Sequence, residues 1–223
     1  MLAKVGIAIA VEVGYALVTR VWLPSQLSVV EREVAITAIR ALTIPMYCAL
    51  FLDVVRSRRK LPSTRPTLLF ALGITLVCLG PALTHDWRAS TVATRVLFGV
   101  TSIVVAVREE LVYRGVLQNL LQRRLGWMGA IVVSNVVFTA YHYGAWRFTV
   151  FRALTVLLVG GVLGILYYGT GYLRIPIMVH AAYDALASLS PLVPQPLPPI
   201  WATAFQLAAL ATLARWLRRR RLV

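Results

Sequence analysis

Apolar residues form eight long runs along the chain, separated by short polar or proline-rich segments. Most of these runs approach or exceed the roughly 20 residues that cross the hydrocarbon core of a bilayer as a helix. The pattern predicts an all-α, polytopic membrane protein with about eight transmembrane helices, forming a single integral-membrane domain over residues 1–223. The runs lie at about 3–23, 34–55, 67–84, 93–121, 127–146, 150–169, 174–190 and 199–217.

Ionisable residues interrupt this apolar pattern at a few positions. The segment 108–114, with the sequence REELVYR, carries four charges between two apolar stretches. His142, His180 and Asp184 also lie within apolar runs. A charged side chain at the centre of a membrane helix costs roughly 2.5–3.5 kcal/mol on insertion scales. The concentration of such groups therefore indicates a functional site.

The spacing within 108–114 separates the two glutamates on a helix. Glu110 and Arg114 are four residues apart and share a face, which favours an ion pair. Glu109 is rotated by about 100° from Glu110, so the helix presents it elsewhere. A carboxylate held in apolar surroundings suits a general base. The alternative is a structural one, in which the charges form a buried ion-pair lock between helices.

Two histidines have helical neighbours at a spacing of four residues. Phe138 precedes His142 by one turn and lies on the same face. Asp184 follows His180 by four residues, so its carboxylate is expected to accept a hydrogen bond from the ring and to fix its tautomer. Alternatively, His142 is an interfacial or core residue, and His180 with Asp184 forms a proton relay or a packing contact.

The three patterns Glu-Glu-x-x-x-Arg, Phe-x-x-x-His and His-x-x-x-Asp follow one another on three apolar segments. Together they resemble the CPBP family of intramembrane proteases, which includes the type II CAAX prenyl endopeptidase and bacterial homologues. The likeness is carried by a motif-bearing core at about 95–190. In that family the motifs line a cavity within a helix bundle.

The resemblance implies an intramembrane endopeptidase that hydrolyses a peptide bond of a membrane-associated or lipidated protein or peptide. It implies that Glu109 activates water, and that His142 and His180 stabilise the oxyanion or act as an acid. Asp184 is expected to orient His180. Eukaryotic prenyl proteases carry Asn where this chain has Asp184, so prenylation of the substrate is left open. The implied catalytic residues are Glu109, His142, His180 and Asp184, and the supporting residues are Glu110, Arg114 and Phe138.

A metal-free mechanism is favoured over a zinc mechanism. The chain lacks a compact His-Glu-x-x-His signature. No cofactor is therefore expected. If zinc were bound, its ligands would be Glu109, His142 and His180.

The charge distribution predicts a membrane orientation and not a nucleic-acid partner. The chain has a net charge of +15, 59% hydrophobic residues and a mean hydropathy of +0.77. With eight helices, basic residues concentrate on the side that holds the loop 56–65 and the tail 218–221. The positive-inside rule then places both termini in the cytoplasm of a prokaryotic plasma membrane, with the basic tail on anionic lipid.

Two functions of other classes use the same residues. A proton-coupled membrane transporter would relay protons through these ionisable groups. A non-catalytic immunity or scaffold protein would retain the motifs on the same fold without turnover.

Overall fold

The computed structural model describes residues 2–23, 27–56, 71, 74, 91–142, 150–189 and 199–221. Within these residues the regular elements are all helical, so the all-α prediction is confirmed. The helices are α1 (Leu2–Leu17, continued by a π-helical turn at Val18–Trp22), α2 (Val29–Arg56), α3 (Val92–Glu110), a π-helical segment (Leu111–Gln118), α4 (Asn119–Tyr141), α5 (Val150–Thr170), α6 (Arg174–Leu189) and α7 (Pro199–Arg221).

Three stretches among the described residues are long and apolar enough to cross a membrane. They are Ala3–Trp22, Val29–Arg56 and Ala153–Thr170. The chain is thus a membrane protein with apolar helices, and its predicted total of about eight spans stays a prediction. The predicted run at 67–84 lies outside the described residues except for Ala71 and Ile74, which are buried in the core.

Polar residues fix the starts of two helices. Before α2, the backbone N–H of Ser28 donates to Glu31 Oε2 at 2.8 Å, and the N–H of Glu31 donates to Ser28 Oγ at 3.3 Å. This reciprocal capping box satisfies two N–H groups that lack helical partners. At α3, Thr91 Oγ1 accepts a hydrogen bond from the N–H of Thr94 at 3.2 Å.

A glycine separates the two predicted runs at 93–121 and 127–146. Gly126 has φ +66° and ψ 179° inside α4, so the helical path breaks there. A positive φ of this kind is easily adopted only by glycine. The stretch before Gly126 continues α3 and the π-helical segment, whereas the stretch after it carries His142 at its end. This break lies in the gap between the two predicted runs.

The π-helical segment Leu111–Gln118 lies at the centre of the described helices. All eight of its residues are buried, and it packs against α1, α2, α4 and α5. One hydrophobic cluster joins it to α1 and α2, and a second joins α5, α6 and α7. The segment belongs to the first cluster and also contacts α5 of the second, directly after Glu109 and Glu110.

Contacts at both ends of α1 show how it lies along the bundle. Lys4 Nζ lies 2.6 Å from Asp53 Oδ2, which joins the start of α1 to the end of α2. At the other end of the helix, Arg20 donates to the carbonyl oxygen of Tyr141 and stacks over its ring. The helices α1 and α2 therefore run antiparallel, and the end of α1 lies beside the end of α4.

Candidate active site

Two helix ends and the middle of a third helix bring the predicted site residues together. Helix α3 packs closely along α6, and this packing sets Glu109 beside His180. The end of α4 adds His142 from a third direction. Nε2 of His142 and Nε2 of His180 each lie 3.9 Å from Glu109 Oε2. The first glutamate of the pair thus faces both motif histidines.

Glu109 is a buried carboxylate whose facing oxygen makes no direct hydrogen bond. The residue is 3% exposed. Among the described residues, its Oε2 atom has no hydrogen-bond partner. The separation of 3.9 Å from the two imidazole nitrogens exceeds the 2.7–3.2 Å of a direct bond. A spacing of this size is one that a single small molecule bridges.

Glu110 is held by Arg114, as the helical spacing predicts. Arg114 Nη1 lies 3.0 Å from Glu110 Oε1, and both residues are buried. Arg114 also donates from Nη2 to the carbonyl oxygen of Gly160 on α5, at 2.9 Å. The guanidinium is therefore fixed between two helices, and it neutralises a carboxylate that would be costly to bury alone.

His180 lies between two carboxylates, of which only one was expected. Its Nδ1 atom is 2.8 Å from Glu110 Oε1, and its Nε2 atom is 3.3 Å from Asp184 Oδ2. The sequence predicts the contact with Asp184 but gives no sign of the closer one with Glu110, which lies 70 residues away. Glu110 and Asp184 therefore orient the ring together, one at each nitrogen.

His142 is held by its own helix and by aromatic rings. Its Nδ1 atom lies 2.8 Å from the carbonyl oxygen of Phe138. Because a carbonyl oxygen only accepts, Nδ1 carries the proton of this bond. The Phe138 ring packs edge-on against both histidines, at 4.5 Å from His142 and 6.1 Å from His180, and Arg114 lies 4.6 Å from its centroid. Phe138 is thus the apolar contact shared by the three motifs.

A second ion pair, partly buried, includes the residue before Glu109, and the sequence analysis does not identify it. Arg108 is fully buried, with Nη2 2.6 Å from Glu12 Oε1 and with its guanidinium 3.6 Å from the centroid of the Tyr15 ring. Tyr47 also donates to Glu12, at 2.8 Å. These contacts fasten α1 to the helix that carries Glu109. The sequence feature that points to such an ion pair is Glu12, a carboxylate within an apolar run.

The donor atoms of the site suit zinc chemically, but their spacing is wide for it. Two imidazole nitrogens and a carboxylate are typical zinc ligands. The Nδ1 contacts of both histidines also resemble the outer hydrogen bonds that orient metal ligands. Ligands of a tetrahedral zinc site are about 3.3 Å apart, whereas Glu109 lies 3.9 Å from each histidine. The described part of the chain contains no group of three such residues arranged to hold a metal ion.

Comparison with known families identifies the segment that carries this geometry. Residues 91–186 match the family described as Rce1-like, type II CAAX prenyl endopeptidase Rce1-like. Comparisons with curated proteins and with solved structures find no match. The matched segment begins at the N-cap of α3 and ends within α6, so it contains all three motifs. Residues 91–186 are therefore similar to the Rce1-like endopeptidases, and this match supports the CPBP family of intramembrane proteases that the three motifs predict.

Proposed function

We propose that this chain is an intramembrane endopeptidase that hydrolyses a peptide bond of a membrane-associated or lipidated protein or peptide, using water activated by Glu109. The observation that carries the proposal is the buried Glu109 Oε2 atom, 3.9 Å from Nε2 of both His142 and His180. The match to an endopeptidase family supports hydrolysis. It does not favour a proton-coupled transporter.

The contacts of His142 and His180 assign the two rings different roles. His142 holds its Nδ1 proton against the Phe138 carbonyl, so the Nε2 atom of the neutral ring is an acceptor. His142 and Glu109 together then bind and orient a water molecule. We assign His180 the protonated form, because carboxylate oxygens face both of its nitrogens. A protonated ring donates from Nε2 as well as from Nδ1.

The proposed reaction proceeds in two steps. Glu109 accepts a proton from the water, the water oxygen forms a bond to the scissile carbonyl carbon, and the carbonyl oxygen becomes an oxyanion that accepts a hydrogen bond from His180 Nε2. The C–N bond then breaks while Glu109 returns its proton to the leaving nitrogen. The immediate products are a carboxylic acid and an amine, and Glu109 is again ionised; the proton left on the new carboxyl group then passes to the amine, which gives a carboxylate and an ammonium group.

The remaining charges keep this arrangement in place. Arg114 and His180 both contact the Glu110 carboxylate. Asp184 stabilises the His180 imidazolium at Nε2, the nitrogen that faces the reacting groups. The steps above need no ion. Zinc held by Glu109, His142 and His180 is the alternative, and it would supply a more acidic bound water.

The orientation completes the proposal. About eight helices would cross a prokaryotic plasma membrane with both termini in the cytoplasm, in accord with the positive-inside distribution. The contacts at Lys4 with Asp53 and at Arg20 with Tyr141 support the alternation of the helices, because each joins residues that the eight-helix topology places on one side of the membrane.

The test uses purified protein in liposomes and two internally quenched peptides of the CAAX type. The peptides share one sequence, and only one carries a farnesyl group on its cysteine. Glu109→Gln should abolish cleavage while the protein still inserts and folds. The control, Asp53→Asn, removes an exposed carboxylate and should keep the wild-type rate. Wild-type turnover by Glu109→Gln would refute the proposed base. A folded wild type that cleaves neither peptide would favour a scaffold role.

A further inference from the structure

Buried side chains donate hydrogen bonds to three carbonyl groups on one face of α5. Arg114 donates to Gly160 O at 2.9 Å, and Gln118 donates to Gly164 O at 3.1 Å. Asn135 donates to the carbonyl oxygen of Leu157. Each carbonyl has a second lone pair that can accept such a bond in addition to the helical one. Small residues on this face allow the close approach that these bonds require.

Gly160 occupies the most crowded position on this face. A Cβ atom added there would lie 1.9 Å from Asn135 Oδ1 and 3.1 Å from Arg114 Nη2. Its neighbour Gly161 differs, because a Cβ atom there would meet Leu210 Cδ1 at 3.4 Å and Asn135 Nδ2 at 3.6 Å, which are ordinary contact distances. The glycine requirement is thus specific to Gly160 and does not hold for this whole turn of α5.

A continuous chain of contacts runs from Gly160 to the reacting groups. Its carbonyl oxygen binds Arg114 Nη2, Arg114 Nη1 binds Glu110 Oε1, and the same oxygen of Glu110 lies 2.8 Å from His180 Nδ1. Each link is buried. Because Glu110 and Arg114 are on neighbouring turns of one helical stretch, the bond to Gly160 is the link that fixes the guanidinium relative to α5.

We propose that Gly160 is a positioning residue of the active site: its carbonyl group and its bare Cα hold Arg114, and through Arg114 the Glu110–His180 pair, in the reactive geometry. The kinetic part of this inference rests on the proposed function. The arrangement of the hydrogen bonds around Arg114 does not rest on the proposed function, so that arrangement is measured separately.

The kinetic test compares Gly160→Ala with Gly161→Ala on the peptide that the wild type cleaves. Gly160→Ala should lower kcat by on the order of tenfold to a hundredfold, because a small displacement of the reacting groups is enough for such a loss. KM should stay near the wild-type value, since Gly160 does not face the reacting atoms. Gly161→Ala should match the wild type in both constants. Equal rates for wild type and a folded Gly160→Ala would overturn the proposal.

The second measurement does not depend on activity. Protein labelled with ¹⁵N in the histidine rings gives few signals, because the chain has three histidines. Loss of a signal in His180→Gln assigns the Nδ1 resonance of His180, and His142, held by Phe138, is an internal reference. Gly160→Ala should shift the His180 Nδ1 resonance, as Glu110→Gln should, and Gly161→Ala should leave it in place. An unchanged resonance in Gly160→Ala would overturn the proposal even if the wild type cleaved no peptide.

A second variant covers the case in which Gly160→Ala fails to fold. Replacing Asn135 by Ala removes the carboxamide whose oxygen lies 1.9 Å from the new methyl group, so in Gly160→Ala with Asn135→Ala the methyl group still meets Arg114 Nη2 at 3.1 Å. Compared with Asn135→Ala alone, the double variant should show the lower kcat and the shifted His180 resonance. If the two variants agree in both measurements, Gly160 does not position the site.

Discussion

The buried ion pair between Glu110 and Arg114 gives the sharpest stability prediction. Glu110 is fully buried and Arg114 is 1% exposed. Removing one partner of such a pair leaves an uncompensated charge and typically costs about 3–5 kcal/mol. Glu110→Gln should reach that range, because it leaves both Arg114 and His180 without their shared carboxylate. Arg114→Gln should lie at its lower end, since His180 still faces Glu110 at 2.8 Å.

The double variant separates a coupled pair from two independent residues. Additive losses would sum to about 6–8 kcal/mol. Because the double variant buries neither charge alone, its loss should fall short of that sum by about 2–3 kcal/mol. The assay is equilibrium unfolding of all four proteins in mixed detergent micelles, followed by circular dichroism.

An exposed ion pair in the same protein is the matched control. Lys4 and Asp53 also connect two helical positions by a short contact, but their side chains are 36% and 69% exposed. Solvent screens such a pair, so the cycle of Lys4→Gln and Asp53→Asn should show coupling within error of zero. Strict additivity at Glu110 and Arg114, or equal coupling in the two cycles, would refute the argument from burial.

Three further predictions concern other parts of the molecule. Single-cysteine probes near Arg59, with Cys48 and Cys78 replaced by Ala, should resist labelling from outside intact cells; external labelling would reverse the orientation. Glu12→Gln should lower the free energy of unfolding by about 3–5 kcal/mol, because it leaves the buried Arg108 without its carboxylate, and unchanged unfolding would show that the pair is dispensable. Chelator-treated protein should contain substoichiometric zinc by elemental analysis and keep its activity; stoichiometric zinc, with activity lost on removal and restored on addition, would establish the metal mechanism.

Helical spacing predicts contacts correctly where both partners lie on the same helix. The contacts of Glu110 with Arg114 and of His180 with Asp184 are both four residues apart, and both are present in the structure. The break near residue 126 was likewise visible, because polar and glycine residues separate two apolar runs there. The convergence of the three motifs followed from the family resemblance and not from spacing.

Contacts between residues on distant helices could not be predicted from spacing along the sequence. Glu110 meets His180 across 70 residues, and Arg108 meets Glu12 across 96. No periodicity links such positions, since their meeting depends on how the helices pack. The cost of an isolated charge in an apolar run nevertheless predicts that Glu12 needs a partner, and the chain offered few cations within helices. This cost limits the partner of Glu12 to those few cations but does not identify Arg108 among them.

The π-helical segment determines how this protein tolerates a change in chain length. Between Leu111 and Gln118 the helix is wound more loosely than an α-helix, and every side chain in it is buried. A π-helical stretch holds one residue more than the α-helix that would replace it, so loss of one residue from this segment would restore ordinary α-helical winding and largely keep the direction of the chain beyond it. A one-residue deletion in the α-helical part of α4 would instead turn the chain beyond it by about 100° and carry His142 away from Glu109. Deletion within the π-helical segment therefore alters the contacts of its own side chains, whereas the same deletion in α4 separates the two glutamates from the second motif.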